Sequence, residues 1–261
     1  MKRWSALCLE KNEDRWVAFS EELNKAGFAN EYVPWTGPLD QIKDLSAFDG
    51  LDHLRFCADV GLRIIPHLKV QSSWITLIGV VDGMVKQEHG WWPLCAVHDA
   101  LGEILIQLGH EVDKRGHVFI AGVNGNARAS IAAFFKSGFR KFMFTHDDEG
   151  EAQALLKELN RRFFGLEIQW VPMDRIVVLP GETTVLVNCK PGPDDDPLLT
   201  ELSYLNFLRR PGFIFDLSGN RPDSLLLREG KDANARVLSS LDVAKYQDAL
   251  WTKWAFQKSQ L

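Results

Sequence analysis

Short apolar runs alternate with amphipathic stretches along the whole chain, and the alternation becomes regular in the second half. WSALCL predicts a strand. DRWVAFSEELNKAGF places Trp16, Phe19, Leu23 and Phe28 at helical spacing, with Gly27 where the helix would stop. NEYVPW is strand-like and ends in proline. LSAFDGLDHLRFC predicts a helix and GLRIIP a buried strand. WITLIGVVDGMVKQEHGWW predicts a hairpin, or a strand and its return, and VHDALGEILIQLGHEV a helix with Asp99 near its start and Gly109 near its end.

In the second half HVFIAG, FRKFMFTH, LEIQWVP, TTVLVNC and GFIFDLSG predict strands. NARASIAAFFKSG, closed by Gly138, and EGEAQALLKELNRRFFG predict the helices between them. KPGPDDDPLL predicts a loop and a short helix, and DVAKYQDALWTKWAF a final helix with a face to bury. Strands alternating with helices through short loops predict a doubly wound parallel sheet. The expected fold is therefore α/β. A domain boundary is expected in the helix near residues 97–112.

Composition narrows the chemistry. Of 261 residues, 46% are hydrophobic and 25% charged, which suits a full core. The formal net charge of -5 argues against a nucleic-acid partner, since phosphate backbones need a basic face. No run of about 20 apolar residues predicts a membrane span, and charges soon after MKRW interrupt any signal-peptide core. Cys8, Cys57, Cys95 and Cys189 form no C-x-x-C pair. No metal site or disulfide framework is expected, and a reducing cytoplasm is the natural compartment. The nine tryptophans are expected mostly in the core, with a stacking surface as the lesser reading.

HVFIAGVNGNARASIAAF carries the clearest chemistry. A strand ending at Gly122 is followed by Val123, Asn124, Gly125, Asn126 and Ala127, where a helix begins. A glycine turn lets a pyrophosphate approach the backbone, and the helix N-terminus offers it N–H groups and a partial positive charge. The full G-x-G-x-x-G pattern is absent, and an ordinary strand-to-helix turn also fits. The next strand ends at His146 and Asp147. An acid at that distance accepts hydrogen bonds from adenosine ribose hydroxyls and repels a 2′-phosphate, which favours NAD over NADP. A solvated acidic loop fits the same residues.

Several segments together resemble the shikimate dehydrogenase family. GVNGNARASIAAFFKSGFRKFMFTHDD is similar to G-A-G-G-A-A-R-A…G…K-x-x-x-x-N-R-T, TTVLVNCKPGP to D-x-x-I-N-x-T-P-x-G, and FIFDLSGNRPDSLLL to D-x-x-Y-x-P-x-x-T-x-L. SLDVAKYQDALWTKW resembles G-x-x-M-L-x-x-Q-x-x-x-x-F-x-x-W, and GVVDGMVKQEHGWWPLCAVHDALG resembles A-V-N-T-x-x-x-x-x-G-x-x-x-G-x-N-T-D-G-x-G. The likeness covers most of 60–255 and implies an N-terminal α/β substrate domain over 1–105, joined by the C-terminal helix 240–261, and a Rossmann-type dinucleotide-binding domain over 106–239. It implies hydride transfer between a nicotinamide cofactor, NAD or NADP, and shikimate, its ketone, quinate or a related cyclic hydroxy acid. It also implies a role in aromatic amino acid biosynthesis, in a monomer or homodimer.

The resemblance assigns the proton-handling pair to Asp99 and Lys69, because hydride leaves carbon only as the alcohol proton is taken up. Lys69 comes from GLRIIPHLK, similar to G-x-N-V-T-x-P-x-K with one residue added. Asp99 also fits as a first-turn acid on the helix dipole. The substrate would meet Asp82, Ser224 and Gln247, and the cofactor would also meet Asn188 and Asp216. The family's N-terminal S-x-S pair has no counterpart here, so Arg63 or His67 would have to hold a substrate carboxylate. Gly219 stands for the family's tyrosine and Asp147 for its arginine. A non-catalytic relative that kept the scaffold is the second reading. A methylene-folate type of dehydrogenase is a weaker third, against which Tyr246 and Gln247 argue.

Overall fold

The computed structural model describes residues 1–7, 13–35, 45–69, 72–219, 221 and 223–257. Cys8 and positions 10–12, the start of the 10–23 stretch where the S-x-S pair was sought, lie outside them. The chain divides into two compact units, Met1–Ala96 with Gln247–Leu261 and Val97–Tyr246.

The first unit holds β1 (Lys2–Leu7), α1 (Glu13–Lys25), β2 (Asn30–Tyr32), β3 (His53–Phe56), α2 (Ala58–Ile64), α3 (Ser73–Ile78), β4 (Gly83–Gln87) and β5 (Gly90–Leu94). Its sheet runs β2-β1-β3-β4-β5, parallel among the first three strands and antiparallel after. Trp4, Trp16, Phe19, Leu23 and Trp251 form its aromatic core. Four tryptophans are buried (Trp4, Trp16, Trp91 and Trp251), so core packing accounts for much of their number.

Three expectations fail in this unit. LSAFDGLDHLRFC is not a helix: a short 3-10 turn over Leu45–Phe48 is followed by β3. Phe48, Leu51 and Leu54 fall at a helix-like spacing, but all are buried through strand and turn geometry instead. GLRIIP is not a strand: it spans α2 and a 3-10 turn, Ile65–His67. Val60 and Ile64 are fully buried one helical turn apart, while Arg63 is exposed. Such a short apolar run reads equally as either element. WITLI, expected in a hairpin, is α3, capped by the Ser72 side chain and stopped by Gly79 in the left-handed region. The hairpin itself is β4–β5.

The second unit holds α4 (Ala96–Leu108), β6 (His117–Ala121), α5 (Gly125–Lys136), β7 (Lys141–Thr145), α6 (Glu149–Arg162) and β8 (Glu167–Trp170). There follow β9 (Thr183–Asn188), α7 (Pro197–Ser203), β10 (Leu208–Asp216), α8 (Leu225–Asp232), β11 (Arg236–Ser239) and α9 (Ser240–Thr252), whose last turns belong to the first unit. All six strands pair in parallel, in the order β11-β10-β9-β6-β7-β8. Numbered from β6, that order is 3-2-1-4-5-6 read from β8, the doubly wound dinucleotide-binding arrangement. The central strands β6, β7 and β9 are almost wholly buried, as strands covered on both faces must be, while the edge strands β8 and β11 are partly exposed. α8 and β11 went unread in the sequence. RVLS is only four residues long, so its apolar pair gives too little periodicity to mark a strand.

Candidate functional site

Ligands of doubly wound sheets bind beyond the carboxyl ends of the strands, where the strand order reverses. Here that point lies between β6 and β9. β6 ends at Gly122, whose φ of 100° is a conformation suited to glycine. A Cβ there would come 3.2 Å from the Lys190 nitrogen and 3.4 Å from the Cys189 carbonyl carbon. The turn therefore packs backbone to backbone on the end of β9, which a glycine allows, and its main chain leading into α5 is the cradle that a pyrophosphate would meet.

Two asparagines pin the turn. Asn124 caps α5, accepting from the Ala127 N–H at 3.1 Å, and its amide donates to the Cys189 carbonyl at 2.6 Å. The Asn126 amide donates to the Leu217 carbonyl at 3.2 Å. Both side chains hold the turn onto the ends of β9 and β10, so what this loop can offer a ligand is main chain, from Gly122 and Val123 to Gly125. At the end of β7 the His146 Nε2 lies 2.9 Å from the Glu151 carboxylate. Asp147 follows, half exposed, and Asp148 caps α6.

Two residues unread in the sequence complete this end of the sheet. The Lys190 ammonium lies 2.6 Å from Asp147 and 2.7 and 2.9 Å from the two oxygens of Asp196. Asp196 also caps α7, accepting from the Leu198 and Leu199 N–H groups. Burial opposes the charge on Lys190, but the two carboxylates outweigh it and raise its pKa above the ordinary lysine value. Burial likewise disfavours the Asp196 anion, and Lys190 with the helix N–H groups lowers its pKa nonetheless. The signal for Lys190 was present, since TTVLVNCKPGP puts lysine where the pattern N-x-T-P has threonine.

Asn188 and Asp216, expected at the cofactor, and Ser224, expected at the substrate, come together at the ends of β9 and β10. Asp216 is buried and accepts from the Asn188 amide (3.0 Å), the Ser218 N–H and hydroxyl (3.1 and 2.5 Å) and the Ser224 hydroxyl (2.5 Å). Ser224 also caps α8. This network fixes the strand ends beside the cradle. In α4 the Asp99 carboxylate, side chain 40% exposed, lies 2.6 Å from Nδ1 of buried His98. His98 is the group that orients it.

In the first unit, Asp82 is buried and accepts the Ala96 N–H at 2.6 Å. Lys69 is exposed in a bend after the 3-10 turn. The strand expected to carry it is the helix α2, and the strand in this region, β3, is followed by Cys57 and Ala58 with no lysine. Arg63 is exposed on α2, His67 partly buried. Gln247 is partly buried on α9 beside Asp248. Arg55, missed in the sequence, is buried with its guanidinium against the Trp16, Phe19 and Trp251 rings and 2.5 Å from Asp248. Among the described residues no group of three or more His, Cys, Asp or Glu could hold a metal ion, and no helix is long and apolar enough to cross a membrane.

No family model matches the chain. The shikimate dehydrogenase (NADP(+)) of Dictyoglomus thermophilum is 27% identical over 199 residues, covering 74% of this chain and 68% of its own length. The chain is a divergent relative of the shikimate dehydrogenases. Solved structures agree on the fold. The shikimate 5-dehydrogenase of Listeria monocytogenes, in complex with shikimate and NAD, superposes with a TM-score of 0.80 at 16% identity, covering 97% of this chain and 91% of that one. The quinate dehydrogenase of Corynebacterium glutamicum, in complex with NAD, gives 0.79 at 17%, covering 97% and 92%.

Proposed function

We propose that this chain is a nicotinamide-dependent oxidoreductase acting on shikimate, quinate or a related cyclic hydroxy acid. The observation that carries the reading is the glycine cradle at the reversal point of a 3-2-1-4-5-6 parallel sheet, in a chain similar to shikimate dehydrogenases. The main chain of Gly122, Val123 and Gly125 would take the diphosphate, with Asn124, Asn126 and Ala127 holding the turn. Asp147, beside His146, would accept the ribose hydroxyls, which favours NAD, and Asn188 and Asp216 would fix the strand ends beside the cofactor. The bound cofactor supplies a hydride acceptor or donor. Asp99, oriented by His98, would hold the hydroxyl proton, and Lys69 is the lysine assigned to pass it on. Asp82, Ser224 and Gln247 would line the substrate.

The test is absorbance at the nicotinamide band with shikimate and quinate against NAD and NADP. Turnover is the expected result, with kcat of Asp99→Asn lowered about 100-fold or more at an unchanged unfolding midpoint. Lys69 is tested in the same assay by Lys69→Met. A second reading, a scaffold relative that binds a dinucleotide without turnover, is favoured by the helical setting that replaces the strand before Lys69. Stabilisation by NAD with no turnover on any pair would select it.

A further inference from the structure

Lys190 does more than decorate the end of β9. Neighbouring strands lie about 4.8 Å apart, so β9 and β7, which flank β6, are separated by about 10 Å. The Lys190 ammonium nevertheless reaches Asp147, past the end of β7, at 2.6 Å. The ion pair must therefore cross the carboxyl end of β6, where the Gly122 turn lies. It starts against that turn, because the Lys190 nitrogen is 3.2 Å from where a Gly122 Cβ would stand.

The two carboxylates on Lys190 are not equivalent. Asp196 is held by two helix N–H groups, meets the ammonium with both oxygens, and has a side chain only 15% exposed. Asp147 uses one oxygen and is 52% exposed. Water screens a partly exposed ion pair and leaves it weak. Asp196 is thus the anchor and Asp147 the exchangeable partner. One ammonium between two carboxylates leaves a net charge of -1 over a cradle shaped for an anion.

We propose that Lys190 is the phosphate-facing cation of this site, and that Asp147 is the counter-ion it releases when a diphosphate arrives. The proposal rests on the dinucleotide reading above and adds the group that recognises the diphosphate. Anchored on Asp196, the ammonium stays at the cradle and trades a carboxylate for a phosphate oxygen. The freed Asp147 then turns to the ribose hydroxyls.

The test is calorimetric titration of the full chain with ADP, inorganic pyrophosphate and adenosine. Lys190→Met should weaken ADP binding about 10-fold and flatten its dependence on salt, since a charge-assisted contact is lost, while adenosine binding is not weakened. Asp147→Asn should tighten inorganic pyrophosphate several-fold, because the competing carboxylate is gone. Opposite shifts from two neighbouring substitutions cannot come from general loss of fold. ADP affinity unchanged or improved in Lys190→Met overturns the proposal, the latter making the bridge a mere plug. NAD and ADP binding with no dependence on Lys190 leaves the dinucleotide reading intact. If the unmodified chain binds neither ADP, NAD nor NADP, both readings fall together.

Discussion

His53 is 1% exposed on β3, with the edges of Trp251 and Phe256 against its ring at 5.9 and 5.3 Å. Burial, helped by the Lys2 charge, lowers its pKa from 6.5 to about 4. The unfolded chain therefore binds the extra proton between those values, so stability is intact above pH 6.5 and declines as pH falls toward 4. The shift corresponds to about 3 kcal/mol. Urea denaturation at pH 7.5 and 4.5 should show the first unit losing most of that amount, and His53→Leu should flatten the dependence. An equal loss in the variant would refute the assignment. Gly122→Ala should cost about 1–3 kcal/mol and weaken NAD binding, because a Cβ would be strained at φ 100° and crowd Lys190. Single residues were legible where a local rule governs them, as Gly122 was by its turn. Lys190 left a trace in the sequence but not a role, and Asp196, His98 and Arg55 left none, because their meaning lies in partners that only the fold supplies.

Apart from α8 and β11, the helices and strands of the second unit follow the written pattern closely, several of them closed by a capping or turn residue such as Asp148, Gly138 or Gly165. In the first unit the elements between Leu45 and Ile78 were misread. Between Phe48 and Leu68 the chain offers apolar residues at spacings that fit both periods, and no long amphipathic run decides between them. What selects a helix at Ala58–Ile64 is tertiary: a Cβ on Gly61 would lie 1.6 Å from the Val81 carbonyl oxygen. Helix α2 is therefore packed backbone to backbone on the segment leading into β4. Gly61→Ala should destabilise the first unit by about 3 kcal/mol or more. A fall under about 0.5 kcal/mol in denaturant titration would mean that this contact is not formed.

For the molecule as a whole, sheet order rather than any one motif carries the functional reading. The sequence pattern predicted two α/β parts and a parallel sheet, because strand-helix alternation constrains handedness and neighbourhood. It did not predict β11, nor which face of the turn would be bridged by charge. The second unit also has a pocket of about 520 Å³ lined by Leu105, Ile106, His110, Lys114 and Ser137, at the end of the sheet where β6 begins. A ligand there would be unrelated to the cradle. The most direct measurement is amide NMR of the labelled chain titrated with NAD. The account predicts shifts centred on Gly122, Val123, Gly125, Asp147 and Lys190. Shifts centred instead on Leu105–Ser137 pocket residues, or none at millimolar NAD, would contradict it.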